Sequence, residues 1–203
     1  MERIVVAITG ASGAVYGVRL LQEVARAGFE VACVVSRAAR AILADEVGWT
    51  LPPEPAARER YLAERCGVEA GRIRCYRNGD GHAPIASGSH RWRAMVVAPC
   101  SMATAAALAA GLADNLIRRA ADVTLKEGRR LILVPRESPL SLIHLENLAR
   151  LARAGAEIVP PMPHFYTGPE TVAEIVDQTV ARVLDHLGID HDLVARWQGR
   201  RPQ

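Results

Sequence analysis

Lysine is almost missing from this chain: of 203 residues, 24 are arginine and one, Lys126, is lysine. The shortage excludes two nucleotide-binding chemistries. A Walker A loop closes on Gly-Lys-Ser/Thr, whereas Lys126 lies between Leu125 and Glu127. The short-chain dehydrogenase pattern needs a tyrosine four residues before its lysine, and position 122 is Asp. Cysteines are few and irregularly spaced (Cys33, Cys66, Cys75 and Cys100) with no C-x-x-C pair, so neither a disulfide scaffold nor a zinc knuckle is expected. An excess of one charge is lacking too: a net charge of +3 with scattered arginines does not point to nucleic acid. The longest apolar-rich stretch, 94–112, is broken by Pro99, Cys100, Ser101, Thr104 and Gly111, so no membrane span is expected. With no charged leader before an apolar run, the expected address is the cytoplasm.

What is present is an alternation of apolar strands and amphipathic helices. Arg3 to Thr9 is a β-branched run, followed by the turn Gly10-Ala11-Ser12-Gly13 and a helical pattern over Ala14 to Ala27. Glu30 to Val35 predicts a second strand, with Ser36 as N-cap of a helix through Val47. A Pro-rich loop, a charged helix over Ala56 to Cys66 and a strand over Arg72 to Tyr76 precede the turn Ala86-Ser87-Gly88-Ser89. Ala94 to Ala98 returns as a strand, with Ser101 capping an Ala-rich helix, and Asn115 to Lys126 reads as another helix. The spacing then predicts a strand over Leu131 to Val134, a helix from Leu140 to Ala154, a short strand over Glu157 to Val159 and a helix from Glu170 to Leu187. Buried strands alternating with helices predict an α/β three-layer sandwich with a parallel sheet. The chain is expected to form one domain over 1–203, with a polar tail from about residue 188.

In such a sheet ligands sit outside the carboxyl ends of the strands, so the turns after strands are where function is sought. Gly10 to Gly13 offers close backbone approach at a helix N-terminus, but it is not G-x-G-x-x-G. Ser36 stands where an acidic residue would hold the ribose of NAD, which argues against NAD. Ser101-Met102-Ala103-Thr104 follows the strand at 94–98, and Arg136-Glu137 follows the strand at 131–134. Taken singly, each also fits a plain turn, a helix cap or an ion pair. Six histidines form no H-x-x-x-H or H-x-H pattern and no D-D-x-x-D box exists, so no metal is expected. In a chain built on arginine, the lone lysine suggests a need for a compact point charge.

In order along the chain stand T-G-A-S-G-A-V-Y-G (9–17), A-S-G-S (86–89), P-C-S-M (99–102), R-A-A-D-V-T-L-K-E (119–127), V-P-R-E-S-P (134–139), H-L-E-N (144–147) and P-H-F-Y (163–166). Together they resemble the flavin prenyltransferases of the UbiX family, across essentially the whole chain. The resemblance implies a Rossmann-like or flavodoxin-like fold. It implies a metal-independent transferase that joins a dimethylallyl group from dimethylallyl phosphate to reduced FMN through N5–C1′ and C6–C3′ bonds. The product would be the prenylated FMN of UbiD-type decarboxylases. It further implies a homo-dodecamer with sites at subunit interfaces.

By the same resemblance, FMN would be held by Gly10, Ala11, Ser12, Ser36, Ser101, Met102, Ala103, Thr104 and Arg136. Dimethylallyl phosphate would meet Tyr166, Arg182, Lys126, Arg119, Ser87 and Ser89. Ser12, Glu46, Lys126 and Glu137 would be catalytic, with Trp197 an aromatic near the site. Ala103 departs from the lysine or glycine that many members carry there, which removes a side-chain contact and spares the backbone. Two alternatives stay open at this point: a flavin-dependent cysteine decarboxylase and a non-catalytic FMN carrier. Against the first, the chain has no histidine before His82 and no P-x-M-N-x-x-M-W segment.

Overall fold

The computed structural model describes residues 2–197 and Gly199. Six strands form one parallel sheet in the order β3-β2-β1-β4-β5-β6. They are β1 (Arg3–Ile8), β2 (Glu30–Val35), β3 (Ile73–Tyr76), β4 (Ala94–Cys100), β5 (Arg130–Pro135) and β6 (Ala156–Ile158). The helices are α1 (Ala14–Arg26), α2 (Arg37–Val47), α3 (Pro55–Cys66), α4 (Met102–Ala109), α5 (Leu116–Lys126), α6 (Leu142–Arg153) and α7 (Val172–Leu187). All seven residues of β4 are buried, as are five of six in β1, β2 and β5. That is why these segments read as unbroken apolar runs and not as alternating ones: both faces of the sheet are covered.

Alternate strand residues feed two cores. Ile4, Val6 and Ile8 pack with α1, α2, α3 and α7, while Val5 and Ala7 pack with α4, α5 and α6. The result is a three-layer α/β sandwich of the doubly wound kind, and the strand order places its topological switch point between β1 and β4. Lys126 and Arg182 therefore sit on helices of opposite layers.

Element ends differ from the sequence expectation where a polar cap takes over. Helix α6 starts at Leu142 and not Leu140, because Ser141 accepts the His144 amide while the His144 side chain accepts from the Ser141 amide. Helix α7 starts at Val172 and not Glu170, because Thr171 and Glu174 form a capping box. Strand β4 runs on through Pro99 to Cys100, and Thr9 lies just beyond β1. The four cysteines are free thiols, all buried. Burial pushes the Cys100 thiol up to about 12, so this part of the P-C-S-M turn is packing and supplies no thiolate.

Gly17 fixes how closely α1 lies on the switch point. A Cβ there would come 2.2 Å from the Ala98 carbonyl oxygen and 3.0 Å from the Ile8 side chain. Neither the strand carbonyl nor the packed isoleucine has room to yield. Gly17→Ala is expected to cost about 3 kcal/mol or more, seen as a lowered denaturation midpoint or loss of soluble protein. A melting curve matching the wild type would show that α1 shifts freely.

Candidate active site

The carboxyl ends of β1 and β4 are stitched by Thr9, which is 2% exposed. Its hydroxyl donates to the Pro99 carbonyl at 2.8 Å and accepts the Ser101 amide at 2.8 Å. Beside this stitch the β1 turn runs close to α2: a Cβ on Gly10 would meet the Ala38 Cβ at 2.6 Å. Between them opens a cleft of about 280 Å³ whose lining includes Thr9, Gly10, Ser36, Ala38, Ser101, Ala103 and Thr104. Asn78, Asn115, Ile117 and Arg118 close its far side.

Four helices begin along this edge, and their first amides are not equally spent. At α1 the Gly13 and Ala14 amides donate to Glu46 Oε2 at 2.8 and 2.9 Å. At α5 the Leu116 amide donates to the Asn78 carbonyl, the Ile117 amide to Asn78 Oδ1 and the Arg118 amide to Asn115 Oδ1. At α2 and α4 the serine caps take the third amides only, Ala39 to Ser36 Oγ at 3.1 Å and Thr104 to Ser101 Oγ at 3.2 Å. The amides of Arg37, Ala38, Met102 and Ala103 thus have no intrahelical acceptor. Two open helix N-termini converging on one cleft are suited to an anionic group such as a phosphate.

Next to the cleft, Ser12 of the turn after β1, Glu46 of α2 and Arg136 just beyond β5 form a polar cluster. Arg136 Nε donates to the Ser12 carbonyl at 2.9 Å. Burial alone would raise the Glu46 pKa. The Ser12 hydroxyl, the Gly13 and Ala14 amides and the Arg136 charge outweigh it and hold the carboxyl below its usual range. Glu46 is therefore a fixed anion, with the Ser12 hydroxyl turned toward it. Glu137 is exposed and accepts its neighbour's Ser138 amide at 3.0 Å. With Arg136 and Ser138 it borders a cleft of about 260 Å³ otherwise walled by Pro135, Leu140, Leu148, Ile158, Pro160, Pro161 and Met162. That wall is apolar, of a kind that takes a short hydrocarbon.

The remaining site candidates lie elsewhere on the chain. Lys126, at the last turn of α5, pairs with Glu127 at 2.8 Å. It is about 14 Å along the helix axis from Ile117 at the cleft. On the same layer Arg119 donates from Nε to the Ala86 carbonyl and from Nη1 to Asp122, and the Ser87 and Ser89 hydroxyls bond each other at 2.9 Å. On the α7 layer, Tyr166 stacks on His164 at 4.4 Å and meets the Trp197 ring edge-on at 5.4 Å. Arg182 Nη1 lies 3.7 Å from Asp185. One chain thus brings together Gly10, Ala11, Ser12, Ser36, Glu46, Ser101 to Thr104 and Arg136, with Glu137 alongside. It holds Lys126, Arg119, Ser87 and Ser89 as a second group, and Tyr166 with Arg182 as a third.

Sequence reading passed over Thr9 as a stitch, and Asn78, Asn115 and Arg118 as cleft residues. Asn115 carried a signal, since asparagine before an amphipathic run is a preferred N-cap. Asn78 carried none, because it caps a helix 39 residues away. Among the described residues no group of three His, Cys, Asp or Glu side chains is placed to hold a metal ion, and no helix is long and apolar enough to cross a membrane.

The chain matches the Flavoprotein family over residues 1–184. The flavin prenyltransferase UbiX of Pseudomonas aeruginosa is 50% identical over 196 residues, which are 97% of this chain and 94% of the relative. A UbiX crystallised with FMN and dimethylallyl pyrophosphate gives a TM-score of 0.87 at 40% identity, covering 98% of this chain and 99% of that one. A dodecameric FMN-dependent UbiX-like decarboxylase from Escherichia coli O157:H7 gives 0.83 at 47% identity, covering 98% and 100%. With near full-length identity at this level, and a doubly wound sheet whose switch point carries an anion-suited cleft, the chain belongs to the Flavoprotein family and, within it, to the UbiX flavin prenyltransferases.

Proposed function

We propose that the protein transfers the dimethylallyl group of dimethylallyl phosphate to reduced FMN. The observation that carries this reading is the pairing of two neighbouring clefts. One is built from open helix N-termini for an anionic flavin, and the other is an apolar pocket fronted by Arg136 and Glu137 for a short prenyl chain. The residues present fit FMN: Gly10 lets the β1 turn approach closely, and the Ala38, Met102 and Ala103 amides are unspent. Gly10, Ala11, Ser36 and Ser101 to Thr104 would hold its phosphate end, with Ser12 and Arg136 nearer the ring system. When bound, reduced FMN supplies the nucleophilic N5 and C6 that bond to C1′ and C3′ of the prenyl group.

The chain's own residues have three tasks in this reaction. First, the carbon–oxygen bond of the donor breaks as charge builds on the leaving phosphate. Lys126, Arg119, Arg182, Arg136, the Tyr166 hydroxyl and the Ser87 and Ser89 hydroxyls are the groups to stabilise that charge; fixed donors of this kind are worth about 3 kcal/mol each in a water-poor site. Second, the Glu46 carboxylate faces the cationic character left on the prenyl carbons, which the apolar wall shelters from water. Third, closing the second ring would move a proton from C6 to C2′, the carbon left open as the C2′=C3′ double bond is consumed, and the N5 proton displaced by C1′ would leave with the phosphate; Glu137 or the departing phosphate is placed to carry these protons, with Ser12 as relay.

Because Lys126 and Arg182 lie on opposite layers of the sheet, a site using both draws on more than one copy of the chain. We therefore read the working protein as a homo-oligomer, with the dodecameric relative as its template. A cytoplasmic address and a UbiD-type decarboxylase as consumer of the product complete the proposal. Purified protein given reduced FMN and dimethylallyl phosphate under anaerobic conditions is expected to yield FMN heavier by one C5H8 unit, read by mass spectrometry. Unmodified FMN would overturn the transferase reading and leave a flavin carrier.

A further inference from the structure

The last helix and the tail that follows it share one carboxylate. Asp185, on α7, has its Oδ1 2.6 Å from Arg196 Nη1 and 3.2 Å from His191 Nε2. Its other oxygen, Oδ2, lies 3.7 Å from Arg182 Nη1. Three cationic or potentially cationic groups thus converge on a single anion. The tail that delivers two of them is anchored on the body: Gly188 ends α7 in the left-handed region at φ 64°, Ile189 is buried, Leu193 packs on the core and the His191 side chain is 4% exposed. The same tail carries Trp197 to the edge of Tyr166. Arg182 makes no other ion pair among the described residues, and its side chain is 64% exposed.

We infer that Asp185 and Arg196 form a positioning pair: by drawing Asp185 to itself at 2.6 Å, Arg196 of the tail keeps the Asp185–Arg182 pair long, at 3.7 Å, so that Arg182 is readily given up to the phosphate of the prenyl donor. This rests on the assignment of Arg182 to donor binding made above. Asp185 is the acid placed to capture Arg182, three residues on along α7, where i,i+3 pairs meet. Arg196 holds the closer contact by more than 1 Å. Without Arg196, Asp185 closes on Arg182 and the donor must break a tighter ion pair in order to bind. The arrangement also agrees with the Asp185 pKa. Burial would raise it, but hydrogen bonds from Arg196 and His191 prevail and hold it low, leaving the acid ionised and in need of a partner.

The pair is tested by a double-mutant cycle on the full chain with steady-state kinetics for dimethylallyl phosphate. Arg196→Ala is expected to raise KM for the donor about tenfold while kcat changes less than about threefold. Asp185→Asn should leave KM within about threefold of the wild type, and Asp185→Asn combined with Arg196→Ala should bring KM back to the Asp185→Asn value. Arg196→Lys, which keeps a cation at the tail, should stay within about threefold of wild type. An unchanged KM in Arg196→Ala overturns the inference. So does a double variant as impaired as Arg196→Ala, since that marks loss of tail packing and not capture of Arg182. Arg182→Ala separates the two levels: if it leaves KM unchanged, the donor role of Arg182 fails and the inference falls with it. If Arg182→Ala raises KM while Arg196→Ala does not, only the inference fails.

Discussion

Glu46→Gln is expected to lower kcat by a factor on the order of 10² or more, while FMN affinity and fold stability change little. The reasoning starts from the two amides at the head of α1. Gly13 and Ala14 donate to one oxygen of Glu46, which also accepts from Ser12 and lies near Arg136. The amide of Gln keeps one oxygen acceptor for the helix, so the cost to the cap is limited to about 1 kcal/mol. What it cannot keep is the negative charge that the proposed mechanism sets against the prenyl carbons, or an acceptor that holds the Ser12 hydroxyl in one orientation. Because the folded Glu46 pKa lies below its ordinary value, its contribution to stability is full above the usual carboxylate range. That contribution is lost as pH falls through the depressed pKa. Glu46→Gln should flatten that part of the acid-denaturation profile. Initial rates and acid melts decide the point: an equal loss of stability and turnover would make Glu46 a structural cap only, and wild-type kcat would remove it from the chemistry.

That cap also marks where sequence reading stops. Strands β1, β2, β4 and β5 were legible because a strand covered on both faces has no polar face to interrupt it. The serine caps at Ser36 and Ser101 were legible because an N-cap is local: a hydroxyl, then a helical pattern. The starts of α6 and α7 were misjudged by two residues. At α6 the reciprocal partner in the capping box is His144, where glutamate or glutamine would be sought. At α7 the Thr171 to Glu174 spacing was readable, but the Pro-rich loop before it gave no clear edge. The grip of Glu46 on Gly13 spans 33 residues and has no periodic or compositional trace. Nor could spacing tell which layer each helix joins. That depends on strand order together with right-handed crossovers, and it is the layer assignment that separates Lys126 from Arg182.

The same separation gives the second large effect. Chains carrying Lys126→Ala and chains carrying Glu46→Gln are each expected to be nearly inactive alone, yet to recover about one quarter of wild-type turnover when co-expressed as mixed oligomers. The fraction follows from counting. A site that takes Lys126 from one copy and Glu46 from another is intact only when the first copy is the Glu46→Gln chain and the second is the Lys126→Ala chain. Random mixing gives each condition half the time. A site made wholly within one chain would gain nothing from mixing, because every chain then carries one lesion. The geometry favours recovery: Glu46 reaches the head of α1 at the carboxyl edge of the sheet, whereas Lys126 ends α5 on the layer with α4 and α6. The apolar surface needed to bring copies together is present. Leu142 and Ile143 of α6 are about 70% exposed, and so are Met162 and Phe165 of the loop before α7. Large apolar side chains left this open are what an interface between copies would cover. Mixed oligomers with turnover no higher than either variant alone would show that Lys126 and Glu46 act from one and the same chain, and would overturn the site shared between copies.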